Sequence, residues 1–237
     1  MRKTLLLSLF LCLGYILNAQ TNLIQNPGFE DTSVTYKSQT TNLKTGENPN
    51  TWVHLLKAPA SNAGSLSIVS DDKYAGENSL KLQLENIKAR FNFYIAYELT
   101  DVKPAKYTYS FYAKTNLTDS INFRVEAYAV GQTNVEINSS PLYLIGGTVK
   151  GATETAKNQW KKYTFTIDAS SYSEAELKHV NLVIRPNCLA NDNIVNKPTT
   201  YWLDNFEFVA ENSVIEPEVS KYPRFAAISD IHIGRSG

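Results

Sequence analysis

The chain has 237 residues, of which 43% are hydrophobic and 11% are aromatic, so it can build a sizeable core and is not a disordered protein. Its 23 basic and 23 acidic side chains balance, which removes any electrostatic argument for binding nucleic acid or an anionic membrane surface. Its 14 tyrosines suit faces that are half-buried or that hold ligands.

The first 19 residues have the pattern of a secretory signal peptide. Arg2 and Lys3 precede an apolar run over residues 5–17, and Ala19 is a small residue suited to cleavage. The run is too short to span a bilayer comfortably as a helix, so we expect no membrane span. We therefore predict an exported chain that is secreted, periplasmic or attached to the cell surface. Cleavage would remove Cys12 with the signal peptide, and Cys188 is then expected to be a buried free thiol.

Residues 20–210 carry strand patterns and no long helical periodicity. Short alternating runs separated by turn residues predict about nine strands, which is typical of an all-β, two-sheet antiparallel jelly-roll sandwich. The predicted strands begin near residue 22 and lie at 65–70, 79–84, 91–99, 107–113, 121–129, 159–168, 180–185 and 200–209. Their apolar faces predict a core that includes Phe93, Ile95, Phe111, Phe123, Val125, Phe165, Leu182 and Phe206.

The clearest alternation lies in the three runs between residues 91 and 130, which we expect to pair in one sheet. One face of these runs is apolar, and the other is rich in Tyr, Arg, Glu and Asn. Aromatic planes beside hydrogen-bonding groups are what pyranose rings require, so this second face predicts binding of a polysaccharide or other glycan. Two alternatives stay open: an ordinary solvated sheet face with cross-strand pairs, or a face covered by a loop. The residues expected on it are Tyr94, Tyr112, Arg124, Glu126 and Tyr128.

Four short motifs, in this order along the chain, resemble secreted carbohydrate-binding modules with the galactose-binding-like jelly-roll fold. They are N-x-x-x-N-P-G-F-E at residues 22–30, a tryptophan after a Pro-Asn loop at Trp52, the strand at 74–82 and Y-W-L-D-N-F at 201–206. The resemblance implies a non-catalytic domain that binds carbohydrate. It also implies a structural calcium ion held by Glu30 and Asp204 with carbonyl groups near Gly76–Ser79. The alternative is that Glu30 caps a turn and Asp204 pairs with a lysine or arginine.

Other residues with chemical potential in this region lack companions in the sequence. Trp52 is expected to plug the sandwich, whereas Trp160 could be either a plug or a platform at the rim of a site. His54 and His179 belong to no catalytic motif, and we expect His179 at the surface. The sequence therefore gives no support for nucleophilic or acid–base catalysis in residues 21–210.

The chain changes character after residue 210. Residues 211–223 are polar and proline-containing, as expected of a linker. Residues 224–237 contain an apolar run followed by S-D-I-H-I-G, which resembles the first strand of calcineurin-like metallophosphoesterases. Asp230 and His232 leave such a strand on the same side, where they could share a metal ion. The family's later motifs have no counterpart here, so we expect a truncated domain with an incomplete site. Divalent transition metals are expected only in a full-length parent, and no activity is expected from the chain as given.

Three function classes follow from these observations. The first is an exported, non-catalytic carbohydrate-binding module that forms the N-terminal accessory part of a larger hydrolase. The second is a truncated metallophosphoesterase. The third is a structural or protein-interaction sandwich without a ligand, because fold alone does not determine function.

Overall fold

The protein was analysed as a computed structural model that describes residues 21–33, 37–56, 64–84, 93–116, 123–137, 142–145, 158–186 and 199–211. The predicted signal peptide, Cys188, the linker beyond Glu211 and the metal pair Asp230 and His232 lie outside these residues. The side chains of Phe93 and Phe123, two predicted core residues, are also outside the description.

The described residues form eleven strands in two sheets and contain no helix. Strands β1, β2, β5, β10, β7 and β8 form a six-stranded sheet in that order, and β3, β4, β11, β6 and β9 form a five-stranded sheet. All neighbours pair antiparallel except β1 and β2, which are parallel. The strands are β1 Lys37–Gln39, β2 Trp52–Leu56, β3 Gly64–Val69, β4 Ser79–Leu84, β5 Phe93–Thr100, β6 Lys106–Thr115, β7 Phe123–Val130, β8 Leu142–Ile145, β9 Lys161–Asp168, β10 His179–Pro186 and β11 Thr199–Ala210.

The all-β, two-sheet architecture was predicted correctly, but two details of the strand assignment were wrong. The predicted strand near Asn22 is absent; in its place, two isolated backbone bonds join this segment to β11, from Leu23 N to Phe208 O at 3.0 Å and from Phe206 N to Pro27 O at 2.9 Å. Conversely, β1, β2 and β8 were not predicted, because they are short or lie in segments without clear alternation.

The three strands with the clearest alternation do not share a sheet, contrary to expectation. Strands β5 and β7 lie in the six-stranded sheet on either side of β10, whereas β6 lies in the five-stranded sheet between β11 and β9. Successive strands thus alternate between sheets through the middle of the chain. Alternation predicts which side chains share a face, but it does not determine which strands pair.

The main core lies between the two sheets, and the alternation predicted it well. Ile95, Val125 and Leu182 from the six-stranded sheet are buried against Phe111 and Phe206 from the five-stranded sheet. Phe165 is partly buried and packs against the same cluster. Trp52 is only 2% exposed, and its ring centroid lies 4.5 Å from that of Phe206, which confirms the prediction that it plugs the sandwich.

A second, smaller core lies on the outer face of the six-stranded sheet. Two loop segments, 42–50 and 131–137, run across this face and bond to each other, with Thr45 N donating to Val135 O at 2.9 Å and Ile137 N to Leu43 O at 3.1 Å. The loops add a third layer, so the part of this face beneath them is buried. The buried residues beneath and within the loops are Leu43, Val53, Leu55, Tyr94, Ala96, Tyr128, Ile137 and Val183.

In the described part of the chain, no helix is long and apolar enough to cross a membrane.

We expect Phe206→Ala to lower the free energy of unfolding by about 3–5 kcal/mol, because its ring is fully buried among Phe29, Trp52 and Phe111 and the cavity left behind cannot collapse completely. Urea denaturation followed by tryptophan fluorescence measures the change. Thr166→Ala, on the exposed side of β9, is the control and should change stability by less than about 0.5 kcal/mol. A loss at Phe206 no larger than that of the control would contradict the core assignment.

Candidate functional site

A β-bulge in β11 sets the geometry of the outer face of the five-stranded sheet. The register with β6 shifts between Asp204 and Glu207, and Asn205 has a left-handed φ of 48°. In a regular strand, residues three positions apart point to opposite faces. The extra residue of the bulge lets both Leu203 and Phe206 point into the core. Asp204 consequently lies on the outer face, directly opposite Tyr112 on β6.

Glu30 reaches the same face through a strained backbone. Phe29 has a left-handed φ of 61°, which is unusual for a bulky residue, and its ring is completely buried in the main core. The conformation turns the chain sharply, so that the Phe29 ring enters the core while the Glu30 carboxylate remains outside. Burial of the ring offsets the strain, which is of order 1–3 kcal/mol.

The loop between β3 and β4 folds over both carboxylates, and its amide groups point at them. The Oδ2 atom of Asp204 accepts hydrogen bonds from Tyr74 N at 2.9 Å and Ala75 N at 3.1 Å. Glu30 accepts from Glu77 N at 3.0 and 3.1 Å through its two oxygens. Between these two anchor points, Gly76 adopts a φ of 63°, and a Cβ atom there would overlap Glu30 Oε1. We call residues 72–78 the anchored loop.

The two carboxylates are close enough to influence each other. Burial raises the pKa of Asp204, the backbone amides oppose this shift, and the nearby Glu30 charge adds to it. Among the described residues neither carboxylate forms a salt bridge, so the predicted alternative in which Asp204 pairs with a lysine or arginine is not observed. The other part of that alternative, a turn capped by Glu30, matches the bonds to the anchored loop.

A hard divalent cation suits this pair in charge and in donor type. Asp204 Oδ1 and Glu30 Oε1 both face Gly28, where the lack of a side chain leaves space. Carbonyl groups near Gly76–Ser79 were expected as further ligands, but the anchored loop turns N–H groups toward the carboxylates. Within the described residues, no group of three or more His, Cys, Asp or Glu side chains could hold a metal.

An exposed group of aromatic rings rests on the anchored loop. Tyr74 is the one exposed large hydrophobic side chain in the described segments, at 42% exposure. Its ring stacks on that of Tyr112, with centroids 3.5 Å apart and planes at 14°, and meets Trp160 edge-on at 6.2 Å. A side-chain hydrogen bond with Tyr112 raises the pKa of Tyr74. We call Tyr74, Tyr112 and Trp160 the aromatic platform.

Paired charges surround the aromatic platform. Asp72 accepts from Lys114 Nζ at 2.6 Å and from Trp160 Nε1 at 3.2 Å, which fixes the indole ring. Lys162 Nζ lies 5.7 Å from the Tyr112 ring centroid and bonds to Glu207 at 2.9 Å. Lys114 and Lys162 thus each have an acidic partner.

Trp202 continues the aromatic surface along β11. The ammonium groups of Lys81 and Lys114 lie 5.7 and 5.6 Å from its ring centroid. Lys81 also pairs with Asp71 at 3.6 Å.

Of the five sequence-predicted ligand residues, four meet in a buried cluster and one lies elsewhere. Tyr112 is part of the aromatic platform on the five-stranded sheet. Tyr94, Arg124, Glu126 and Tyr128 lie on the outer face of the six-stranded sheet, where Arg124 is half-buried and the others are at most 3% exposed. The expectation that the five residues share one face is therefore wrong, because β6 belongs to the other sheet. On the six-stranded sheet, loops 42–50 and 131–137 cover part of the face, which matches the alternative of a face covered by a loop.

Ion pairing holds that buried cluster together. Glu126 accepts from Arg124 Nη2 and from Arg185 Nε, both at 2.6 Å. Burial alone would lower the pKa of Arg185, but the adjacent Glu126 outweighs it and the pKa is raised. The Arg185 guanidinium lies 4.4 Å from the Tyr94 ring centroid, and burial raises the pKa of Tyr94 to about 12. The buried charges of Glu126 and Arg185 are thus paired with each other.

His54 and His179, the histidines in the described segments, are both buried, so the prediction that His179 lies at the surface is wrong. His179 is 4% exposed, with Nδ1 at 2.7 Å from Glu98 Oε1 and Nε2 at 3.0 Å from Thr133 Oγ1. Gly46 N donates to the same Glu98 oxygen at 2.7 Å, so the group ties both covering loops to the sheet. Burial lowers the pKa of His54 to about 4, which keeps it neutral in the sandwich.

Sequence reasoning missed Tyr74 and Trp202 as members of the aromatic surface. Tyr74 stands in a polar loop with two aspartates and a Gly-Glu-Asn turn, and such a tyrosine has no pattern to mark it. For Trp202 a signal was present, because it occupies an outward position of the alternating strand 199–210.

Comparisons with known proteins bear on the fold. No protein-family model matches the sequence, and no curated protein matches it. The structure is similar to that of a candidate sugar-binding protein from Bacteroides thetaiotaomicron VPI-5482, with 15% identity, a TM-score of 0.53 and coverage of 81% of this chain and 100% of that one. It is also similar to the tandem CBM22-1–CBM22-2 domain of Paenibacillus barcinonensis Xyn10C, with 15% identity, a TM-score of 0.49 and coverage of 81% and 46%. The first likeness shows the fold.

That fold is a two-sheet jelly-roll sandwich, as the strand pattern predicted.

We expect Gly76→Ala to destabilise the domain by about 1–3 kcal/mol, because its φ of 63° disfavours an L side chain and the added methyl displaces Glu30. Gly28→Ala is the matched control: its Cβ would meet Asp204 Oδ1 at 3.6 Å and Glu30 Oε1 at 3.7 Å, which are ordinary contacts. Denaturation of both variants in the presence of a chelator measures the difference. Equal stabilities would show that the anchored loop is not held as described.

Proposed function

We propose that this protein is an exported, non-catalytic carbohydrate-binding module and the accessory part of a larger hydrolase. The observation that carries the proposal is the exposed Tyr74 ring, which stacks on Tyr112 and meets Trp160 edge-on. Sugar rings present apolar C–H faces that pack on such aromatic planes, while their hydroxyl groups bond to side chains at the rim. The structural likeness to a candidate sugar-binding protein supports the proposal at the level of the fold.

The geometry of the aromatic platform favours a glycan lying against one open ring face. Tyr112 covers one face of Tyr74, so the opposite face is the one available to a ligand. Trp160 stands at 62° to Tyr74, with the two ring centroids 6.2 Å apart. Its indole nitrogen already donates to Asp72, which keeps the indole ring in place without help from a ligand. Rigid aromatic groups lose little conformational freedom on binding, which favours affinity.

The charge balance favours a neutral polysaccharide. Lys114 pairs with Asp72 and Lys162 with Glu207, so the platform offers no excess positive charge to a uronate or sulfate group. Binding of a neutral polysaccharide would use polar contacts from these paired side chains to hydroxyl groups, so we expect the affinity to depend only weakly on ionic strength.

Export and the accessory role rest on the two ends of the sequence. The charged and apolar pattern of residues 1–19 supports secretion, where polysaccharides are met. The S-D-I-H-I-G motif, with Asp230 and His232, supports a metallophosphoesterase as the attached hydrolase.

We also propose that Glu30 and Asp204 bind a structural calcium ion. Two carboxylates without a basic partner among the described residues supply charge and oxygen donors for a hard cation. An ion there would link the start of the domain to β11 and would stabilise the fold without taking part in chemistry.

Affinity electrophoresis tests carbohydrate binding. The mature domain should be retarded in gels that contain at least one neutral polysaccharide from a panel of xylan, mannan, galactan and β-glucan. Tyr74→Ala should strongly reduce the shift and leave a weak residual affinity, because it removes the exposed stacking ring, whereas Tyr74→Phe should retain the shift because the ring remains. The melting temperature of each variant serves as the folding control. Absence of a shift across the panel would contradict the proposal and would favour a protein-interaction domain.

Chelation tests the calcium ion. The melting temperature of the wild-type domain should fall when a chelator is added and should recover with excess calcium, by mass action on the folded state. Asp204→Ala should melt at the same temperature with and without chelator, while Asp168→Ala, at an exposed carboxylate far along β9, should respond as the wild type does. A wild-type melting curve that ignores the chelator would rule the ion out.

A further inference from the structure

We propose that the carboxylates of Glu30 and Asp204 position Tyr74 for ligand binding, so that the affinity for carbohydrate is set from beneath the aromatic platform. This inference rests on the proposed function and adds two positioning residues to it. Neither residue is expected to touch the ligand.

Asp204 holds Tyr74 through the backbone amide of that tyrosine. Its Oδ2 atom accepts the amide N–H groups of Tyr74 and Ala75 at 2.9 and 3.1 Å. Asp204 is fully buried and stands opposite Tyr112 in the β6–β11 register, so the residue that holds Tyr74 is adjacent to the residue on which the ring stacks. Hydrogen bonds from amides to a buried carboxylate are stronger than those between neutral groups.

Glu30 holds the other half of the anchored loop. Its two oxygens accept from Glu77 N, and Oε1 also lies 3.4 Å from Asn78 N. Gly76 separates the two anchor points and can adopt its left-handed φ because it has no side chain. The loop is therefore fixed before and after this flexible residue.

The ring itself has little else to fix it. Tyr74 is exposed, and in the described segments its ring contacts are with Tyr112 and Trp160. Without the two carboxylates, the anchored loop would sample other conformations, and a ligand would have to select the one in which Tyr74 lies over Tyr112. Affinity falls by the fraction of molecules in the competent conformation.

A double-mutant cycle separates positioning from general structural damage. Glu30→Ala is the principal variant because Glu30 is exposed, so its removal should not prevent folding. Asp204→Asn is the second variant, with its melting temperature as a check. Dissociation constants are measured with the polysaccharide that shifts the wild type, in the presence of a chelator so that the proposed calcium ion makes no contribution.

We expect Glu30→Ala to weaken binding by about tenfold in the wild-type background and to have no further effect in Tyr74→Ala, because it acts through Tyr74. Glu30→Gln, which keeps an oxygen acceptor for Glu77 N, should restore most of the affinity. Asp168→Asn is the matched control: it also accepts a loop amide, from Ser170 N at 3.1 Å, but it lies away from the aromatic platform, so affinity should not change.

Two results would overturn the inference while leaving the proposed function intact. One is unchanged affinity in both carboxylate variants. The other is a loss of affinity on Glu30→Ala that is as large in the Tyr74→Ala background as in the wild type. If the wild type binds no polysaccharide, the proposed function fails separately. Hydrogen–deuterium exchange then decides the positional claim, because the amides of Tyr74 and Ala75 should exchange faster in Glu30→Ala than in Asp168→Asn. Equal exchange in these two variants would refute it.

Discussion

The buried carboxylate of Asp204 organises the outer face of the five-stranded sheet. A carboxylate removed from water needs hydrogen-bond donors, and Asp204 finds three backbone amides, from Tyr74, Ala75 and Asn205. Two of these belong to the loop between β3 and β4, so satisfying the charge brings that loop down onto the sheet. The position of Tyr74 over Tyr112 follows from this requirement.

The outer faces of the two sheets differ in how far loops cover them. On the six-stranded sheet, loops 42–50 and 131–137 bury Tyr94 and Tyr128, and Glu126 is enclosed by two arginines. On the five-stranded sheet, the anchored loop crosses only part of the face and leaves Tyr74 exposed. Tyrosine serves both surfaces because its ring can be buried or can present a plane to a ligand. The type of residue on a strand face therefore does not decide whether that face is covered.

Alternation predicted the inward positions of β6 and β7 because burial of a sheet face imposes a period of two on the sequence. Phe111 and Val125 were placed correctly for that reason. The pairing of strands was not predicted, because β10 inserts between β5 and β7 although it begins 49 residues after β7 ends. The convergence of Glu30 with Asp204 was expected from a resemblance, whereas the amide groups that meet them were not, since loop amides carry no sequence signal.

By itself the sequence determined the all-β class, the inner faces of the strands and the plug formed by Trp52, because each depends on local periodicity or on a short motif. Only the tertiary structure decided that Tyr112 joins Tyr74 and Trp160, while Tyr94 and Tyr128 are buried. The physical reason is that the exposure of a side chain depends on which loop lies above it. Loop placement here is set by long-range hydrogen bonds, from Asp204 to Tyr74 and from Glu98 to Gly46, that link residues 130 and 52 positions apart.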